Sequence, residues 1–395
     1  MANNNQDTTY DIVCPFCFKR YANFNALFAD HRRFSDEIYP GQVDYMRHFL
    51  GTEPFGGREA PVYFRKAPND PTESPFAAAT ESGDITRTRV CPYCYNLLPA
   101  SAGRVKSFSV AVIGSDDAER SFYIAAALHR MNATMLANYG AAFIPADYRT
   151  ASVFCEQYEE PLYADHTVPE AMMSITPLVY EFARAGASAA EEWKGNTVTY
   201  NNALIYIYNI DRDLVDRYPM IAYSAIAQTG ALIMISDAAA QAAADDPLYD
   251  PWLGYLTETM RKIFGPMSFD RPAAIVLSKA DKANIPDKKW PGILKAFASQ
   301  KTVVSESLKK VFPTTAFAKF SEQTAAVLRA RLPGFSSVTE SLFSKENTLY
   351  FPVPEFFEDH GDGTADIKEP AAAEASFMWL LAKLGLLPNS SAVIL

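Results

Sequence analysis

A repeated cysteine motif near the N-terminus constrains this chain most. Cys14-Pro-Phe-Cys17 and Cys91-Pro-Tyr-Cys94 share one spacing, and Cys155 stands apart from both pairs. A gap of two residues lets both thiolates of a pair reach one ion, and two such pairs complete a closed tetrahedral site of the structural type. We therefore predict that the four paired cysteines bind zinc.

The alternative for the two pairs is a pair of redox motifs, but the residues that follow each pair lack the strand and helix pattern in which redox motifs occur. Residues 18–90 separate the pairs, an insertion that is tolerable because loop-closure entropy grows only logarithmically. His31 and His48 fall within it and are expected at the surface rather than as ligands. Its stretch 68–84 is rich in Pro, Ser, Thr and acidic residues and predicts a flexible excursion. Cys155 is expected to be a small buried apolar residue.

Composition excludes a disordered, a collagen-like and a low-complexity chain. The chain has 395 residues, of which 49% are hydrophobic and 21% charged, so it predicts a folded protein with a large core and two or three units. The net charge of −10 opposes binding to phosphate backbones and anionic membranes, so we expect neither a nucleic acid nor a membrane partner. No signal sequence is apparent, which favours the cytoplasm. The uncharged stretch 218–236 is interpreted as a buried helix and a strand rather than a membrane span.

Strands and helices alternate from residue 107 onward. Residues 107–113 predict a buried strand, Gly114 follows it, and residues 120–130 predict a helix. This is the context of the phosphate-binding loop GxxxxGK[ST], in which backbone amides and a lysine surround phosphates. Counting from Gly114, the hydroxyl position is kept as Ser121, whereas Glu119 and Arg120 replace glycine and lysine. The alternative is a strand-to-helix turn with no phosphate role.

The acidic residues of this loop oppose phosphate binding. Asp116, Asp117 and Glu119 bring three carboxylates to it. At an effective dielectric near 20, each unpaired like-charge contact at about 4 Å costs on the order of 4 kcal/mol. The sequence therefore predicts weakened binding of a nucleoside triphosphate.

Later strands add two further motifs. Residues 177–185 and 197–210 predict an antiparallel pair whose second strand ends near Asn209, where a magnesium-directing aspartate followed by a glycine is expected. Asn209 and Arg212 depart from that pattern, and Asp211 or Asp213 could substitute. Strands are also predicted at 230–236, 273–277 and 348–353. After the second of these comes Ser278-Lys279-Ala280-Asp281, which has the [NTS]KxD form that recognises guanine, with the aspartate accepting hydrogen bonds and the lysine packing over the base.

The run of residues 91–131 resembles the junction of zinc ribbon and GTPase in the double-GTPase family, a TRAFAC-like P-loop group of bacterial conflict systems. Residues 374–387 resemble that family's closing helix. The resemblance implies an α/β fold, namely a P-loop GTPase-like sheet flanked by helices with an N-terminal four-cysteine zinc ribbon. It places the ribbon and its insertion in residues 1–106 and the GTPase-like domain in 107–395, with a helical insertion at about 282–347.

The resemblance also implies site residues. Zinc is assigned to Cys14, Cys17, Cys91 and Cys94, and nucleotide binding to Gly114, Arg120, Ser121, Lys279 and Asp281. Thr167 is a candidate switch threonine. No catalytic residue is assigned, because the departures at 119, 120, 209 and 212 all fall at the phosphate and magnesium positions.

The pattern of departures predicts a pseudo-GTPase, in which the scaffold persists and hydrolysis is impaired. We expect a regulatory or structural subunit of a larger bacterial assembly, with defence as one candidate setting and other protein subunits as partners. The expected cofactor is zinc, GTP or GDP is a candidate ligand, and magnesium binding is expected to be weak. Two alternatives stay open. One is a slow GTPase in which Arg120 serves for the lysine, and the other is a zinc-ribbon module that binds nucleic acid.

Overall fold

The structure is a computed structural model. It describes residues 9–35, 60–114, 117–167, 176–184, 191–193, 196–198, 200–243, 251–306, 309–355, 357–361, 364–368 and 372–389.

The N-terminal region consists of short strands around the cysteine pairs. In chain order they are β1 (Ile12–Val13), β2 (Arg20–Tyr21), β3 (Leu27–Ser35), β4 (Ala60–Arg65), β5 (Ala78–Ala79), β6 (Ile85–Thr86) and β7 (Arg89–Val90). The pairs β1–β2 and β5–β6 are antiparallel hairpins, and β4, β3 and β7 form a three-stranded sheet in that order.

Part of the segment 68–84 is arranged around one lysine, and its flexibility stays a prediction. Lys66 Nζ donates hydrogen bonds to the carbonyl oxygens of Thr72 (2.7 Å), Ser74 (2.6 Å) and Ala77 (2.9 Å). The carboxylate of Asp70 accepts the backbone N–H of Thr72 at 2.8 Å. Composition indicates an irregular backbone, but it cannot reveal that one ammonium group satisfies the carbonyls of that backbone.

The rest of the chain is built on a seven-stranded sheet with three small hairpins beside it. The strands are β8 (Lys106–Gly114), β9 (Ala141–Pro145), β10 (Leu178–Arg184), β11 (Glu191–Trp193), β12 (Asn196–Val198), β13 (Asn202–Ile210), β14 (Ala231–Asp237), β15 (Ala273–Ser278), β16 (Val304–Glu306), β17 (Lys309–Val311), β18 (Thr348–Pro352), β19 (Phe357–Asp359) and β20 (Ala365–Ile367).

The order of the large sheet is β18-β15-β14-β8-β13-β10-β9. Strand β10 is antiparallel to both of its neighbours, and the other adjacent pairs are parallel. The central strands are buried along most of their length, as expected for a parallel sheet covered on both faces. The structure thus confirms the strands that the sequence predicted at 107–113, 177–185, 230–236, 273–277 and 348–353, and the antiparallel pairing of β10 with β13.

Helices cover both faces of the sheet. They are α1 (Asp117–Tyr139), α2 (Tyr148–Phe154), α3 (Glu160–Tyr163), α4 (Arg212–Arg217), α5 (Pro219–Gln228), α6 (Ala238–Ala243), α7 (Pro251–Phe264), α8 (Trp290–Ala298), α9 (Thr314–Arg331), α10 (Pro333–Leu342) and α11 (Ala375–Lys383). A π-helical turn, Cys155–Glu159, joins α2 to α3.

Alternation along β8 divides the core into two layers. Val110 and Val112 pack in one cluster with α1 and α11, whereas Ala111 and Ile113 pack in the other with α5, α7 and the cysteine region. Two apolar clusters thus sandwich the sheet.

The uncharged stretch 218–236 forms α5 and β14, which confirms its interpretation as a helix and a strand. Within the described ranges, no helix combines the length and the apolar character needed to cross a membrane. The predicted insertion at about 282–347 contains α8, α9, α10 and the β16–β17 hairpin. The domain boundary at residue 106 stays a prediction.

Candidate functional site

The four paired cysteines lie together, as the sequence predicted. The Sγ atoms of Cys14 and Cys94 are 3.6 Å apart, those of Cys17 and Cys91 are 3.7 Å apart, and all four lie within 4.8 Å of one another. Four sulfurs about 2.3 Å from a tetrahedral zinc ion lie roughly 3.8 Å from each other, whereas a disulfide needs about 2.05 Å. The cluster therefore fits a zinc ion and contains no disulfide.

The two cysteine pairs adopt the same backbone turn. Phe18 N–H donates to the carbonyl of Cys14 at 3.0 Å, and Tyr95 N–H donates to the carbonyl of Cys91 at 2.9 Å. Phe18 and Tyr95 both lie in the left-handed region, with φ values of 60° and 57°. The shared Cys-Pro-aromatic-Cys-aromatic sequence thus specifies one local conformation, and the tertiary fold brings its two copies face to face.

Backbone amides lie near two of the sulfurs, and burial shifts the pKa of the Cys14 thiol. Phe16 N–H lies 3.5 Å from Cys14 Sγ, and Tyr93 N–H lies 3.4 Å from Cys91 Sγ, so each leading sulfur receives a donor. Burial raises the pKa of the Cys14 thiol well above its ordinary value. Thiolates side by side in a largely buried site need a cation to stay ionised, and a zinc ion would supply that charge. Four sulfur donors leave no open position, so a zinc ion held here would be of the structural type.

Of the two histidines considered as alternative ligands, His31 is not among the clustered residues. His31 is exposed, and His48 lies outside the described residues. Cys155 is half-buried, with its Sγ 3.5 Å from Glu160 Oε1, so the expectation of a buried apolar role was wrong. It lies on the π-helical turn, whose backbone holds its side chain partly in solvent.

The cysteine region packs directly on the sheet. Tyr208 of β13 donates its hydroxyl to the carbonyl of Pro15 at 2.9 Å, and its ring lies 5.4 Å from that of Phe18 between centroids. Arg149 lies over the ring of Phe16 at 4.9 Å. The zinc cluster therefore shares a core with the sheet, and its loss would expose apolar surface on β13.

A second polar site lies at the carboxyl ends of β8 and β13. These strands are neighbours, but β8 leads through α1 toward the β9 edge, while β13 leads through α4 and α5 to β14 on the other side of β8. Ligands of open α/β sheets bind at such a topological switch point, outside the carboxyl ends of the strands. We call the space between the ends of β8 and β13 the switch-point crevice.

Arg120 fills this crevice from the first turn of α1. Its side chain is 1% exposed, Nη1 donates to the carbonyl of Gly114 at 2.6 Å, and Nε donates to Asn209 Oδ1 at 3.1 Å. Nη2 lies 3.8 Å from Asp211 Oδ2. The guanidinium thus joins the helix to the ends of both strands by charge-assisted contacts.

Gly114 is required by this packing. A Cβ added there would lie 2.9 Å from Arg120 Cγ and 3.0 Å from the carbonyl oxygen of Ile235. The absent side chain therefore makes room for the stem of the arginine, a close approach that only glycine permits.

Tyr158 contacts the residues of the crevice, and no sequence pattern predicted it. It lies on the π-helical turn, is 1% exposed, and accepts a hydrogen bond from Asn209 Nδ2 at 3.4 Å. Burial raises the pKa of Tyr158 to about 12. Turns of π-helix are often found at functional sites, where they re-aim one side chain. Here the turn brings an aromatic hydroxyl to the amide that contacts Arg120.

Ser121, the predicted phosphate-loop hydroxyl, is buried beside Arg120. It is 1% exposed, and its Oγ has no hydrogen-bond partner among the described residues. Asp116 lies outside the described residues, as do the side chains of Asp117, Glu119 and Asp213. A buried hydroxyl without a partner is uncommon in folded proteins.

The two predicted base-binding residues contact other strand ends. Lys279 has a φ of 49° and donates Nζ to Asp237 Oδ2 at 2.8 Å, while Asp281 Oδ1 accepts the backbone N–H of Glu355 at 2.7 Å. These contacts connect the ends of β14, β15 and the segment after β18. Base recognition by Lys279 and Asp281 stays a prediction.

Thr167, the candidate switch threonine, forms contacts away from the crevice. Thr167 donates its N–H to the carbonyl of Pro161 at 2.8 Å and forms an isolated bridge with Thr364, so its part as a switch threonine stays a prediction.

Comparison with known proteins gives a slight structural likeness. No protein-family model matches the chain, and no curated protein matches it. A solved structure that is similar in part is a GTP-binding protein from the hyperthermophilic archaeon Sulfolobus solfataricus in complex with GDP. It shares 14% identity at a TM-score of 0.23, over 46% of this chain and 39% of that one. The matched part is thus well under two thirds of the archaeal protein, and a likeness of this size does not establish a relationship.

Proposed function

We propose that this protein is a GTPase-like protein with impaired catalysis, whose switch-point crevice holds its own guanidinium where a nucleotide's phosphates would bind. The contact of buried Arg120 with Gly114, Asn209 and Asp211 carries this proposal. The order of the sheet and the strand-turn-helix at Gly114 support the GTPase-like scaffold. The zinc cluster supports a structural role for the N-terminal region.

The chemistry of the crevice opposes hydrolysis at two points. In a working loop of this class a lysine ammonium reaches the outer phosphates, but here the guanidinium contacts acceptors of the protein itself. Removing one partner from a buried ion pair costs about 3–5 kcal/mol, so a phosphate must compete with Asp211 for this cation. Asn209 offers magnesium a neutral amide oxygen where a carboxylate would bind more strongly.

A protein with this site acts through contacts with other proteins. The resemblance to the double-GTPase family supports the part of a regulatory or structural subunit in a larger bacterial assembly, and defence is the setting that it suggests. Zinc is the proposed resident metal, and nucleotide binding is not required for this function.

Titration calorimetry with GTP, GDP and ADP, each with and without magnesium, tests the proposal. We expect no saturable binding of GTP and no phosphate release above the buffer rate. The variant Arg120→Lys restores the loop lysine and should gain nucleotide affinity if the arginine obstructs the crevice. Hydrolysis by the wild-type protein that Ser121→Ala abolishes would contradict the proposal.

One observation favours a second candidate, a slow GTP-binding switch. Ser121 Oγ is buried without a hydrogen-bond partner in the described part of the chain, at the position whose hydroxyl binds magnesium in phosphate-binding loops. A bound nucleotide and its metal would satisfy this atom. Magnesium-dependent GTP binding that Ser121→Ala weakens and Ser121→Thr preserves would favour this candidate over the first.

A further inference from the structure

A cavity of about 360 Å³ lies where the cysteine region meets the sheet, at the opposite end of β8 from the crevice. One wall is the first cysteine turn, with Val13, Phe18 and Arg20. The other walls are residues 106–109 of β8, Ala225 and residues 227–230 at the end of α5, and Arg271. We call this space the ribbon cavity. Its volume lies within the range of small-molecule sites.

The ribbon cavity is cationic in a chain whose net charge is −10. Arg20, Lys106 and Arg271 line it, and no acidic residue is among its lining residues in the described part of the chain. Arg20 and Lys106 form no ion pair with any described residue. Arg271 donates Nη1 to the carbonyls of Ala227, at 2.9 Å, and Thr229. Three cations around one concavity concentrate a positive potential, which an anion would neutralise.

Aromatic and hydroxyl groups complete the lining. Phe18, Phe108, Tyr206 and Tyr208 are among the lining residues, of which Phe108 is half-buried and the other three are almost fully buried. Ser109 donates its hydroxyl to the carbonyl of Gln228 at 2.9 Å, which connects β8 to the end of α5. The hydrogen bond from Tyr208 to Pro15 fixes one wall against the cysteine turn. The cavity thus combines charged groups for an anion with the half-buried ring of Phe108 for an apolar moiety.

We propose that the ribbon cavity binds a small phosphorylated aromatic molecule. Arg20, Lys106 and Arg271 hold the phosphate, since guanidinium groups match its oxygens in a forked geometry, and the half-buried ring of Phe108 packs against the aromatic moiety. The volume of about 360 Å³ suits one small molecule. This site is independent of the function proposed for the crevice.

Calorimetry on the full-length zinc-loaded protein tests the site, with phenyl phosphate and inorganic phosphate as probes at constant ionic strength. We expect phenyl phosphate to bind saturably and more tightly than inorganic phosphate. Arg20→Gln and Lys106→Gln should each weaken binding about tenfold, in line with the loss of one charge-assisted hydrogen bond. Arg87→Gln and Lys319→Gln are matched controls at exposed positions and should leave the affinity unchanged.

Several results would overturn the proposal. They are the absence of saturable binding for both probes, binding that Arg20→Gln and Lys106→Gln leave intact, and equal losses in the two controls. Binding of a single-stranded oligonucleotide that these two substitutions abolish, without binding of either small probe, would assign the surface to nucleic acid instead. Zinc content and circular dichroism establish that each variant is folded, and Arg20 is exposed, so its substitution leaves the core intact.

Discussion

The zinc cluster and the switch-point crevice differ in where their balancing charge comes from. In the cluster, three buried sulfurs and the half-buried sulfur of Cys17 lie within 4.8 Å of one another, and a bound cation such as zinc would balance the charge of the four thiolates. In the crevice, Arg120 itself lies beside Asp211 and Asn209. The comparison teaches that the four cysteines are suited to an external ion. In the crevice, where residues depart from the phosphate-loop pattern, a side chain of the protein itself supplies the positive charge.

Loss of a cysteine ligand should have the largest effect. We expect Cys91→Ser to remove the one bound zinc and to lower the free energy of unfolding by several kcal/mol, because structural zinc contributes on the order of 10 kcal/mol in small zinc domains. Elemental analysis and thermal denaturation measure the two effects. Cys155→Ser is the control and should keep both zinc and stability. A full equivalent of zinc in Cys91→Ser would show that the cluster is not the ligand set.

Substitution of Arg120, the cation within the switch-point crevice, tests the second of the two sites compared. Arg120→Met should lower the free energy of unfolding by about 3–5 kcal/mol, since it takes a buried cation away from Asp211. Arg120→Lys should cost less, because it keeps the charge and loses the fork. Urea denaturation measures both, with exposed Arg87→Met as a control within about 0.5 kcal/mol of wild type. An unchanged stability in Arg120→Met would mean that the guanidinium does not complete the crevice.

The close approach of Arg120 to Gly114 predicts a smaller effect. Gly114→Ala should destabilise the protein by about 1–3 kcal/mol, because its Cβ would collide with the arginine stem and with a carbonyl of β14. Gly254 lies within α7 with nothing within 4 Å of an added Cβ, so Gly254→Ala should stabilise by up to about 1 kcal/mol. Thermal denaturation of the two variants gives opposite signs if the packing is as described. Equal signs would contradict it.

The smallest effect concerns Lys279, whose backbone lies in the left-handed region. Lys279→Ala and Lys279→Gly both lose the ion pair with Asp237, but glycine adopts a positive φ without steric cost. We therefore expect the glycine variant to be more stable than the alanine variant by about 1 kcal/mol. Chemical denaturation of the two variants measures the free-energy cost of the positive φ, because both variants lack the ion pair. Equal stabilities would show that this conformation is not strained.

Local patterns predicted much of the fold. The apolar run at 107–113 and the run ending at Asn209 became β8 and β13 because buried parallel strands are near-continuous apolar segments. The two Cys-Pro-aromatic-Cys motifs predicted one cluster, since thiolates at that spacing share an ion. The same reasoning could not predict the hydrogen bonds of the segment 68–84 with Lys66. Its composition is that of a loop, and the carbonyls that Lys66 binds carry no side-chain signature.

The site was predicted less completely than the fold. The sequence singled out Gly114, Arg120 and Ser121 by their spacing, but it could not give the direction of the Arg120 side chain. Tyr158 could not be found at all, because a π-helical turn depends on one extra residue in a helix and leaves no periodic signal. The direction of the Arg120 side chain and the position of Tyr158 both depend on contacts with Asn209 at the end of β13, which only the tertiary fold brings into place.

The sequence by itself determined the residue types available: four thiolates in two equal turns, a strand-turn-helix with an arginine in place of a lysine, and apolar runs of strand length. Only the tertiary structure decided their use. It placed the Sγ atoms of Cys14 and Cys94 3.6 Å apart and those of Cys17 and Cys91 3.7 Å apart. It also directed the Arg120 side chain to the ends of β8 and β13. The physical reason is that periodicity and spacing are local properties of the chain, whereas charge balance in a buried site depends on groups that only folding brings together.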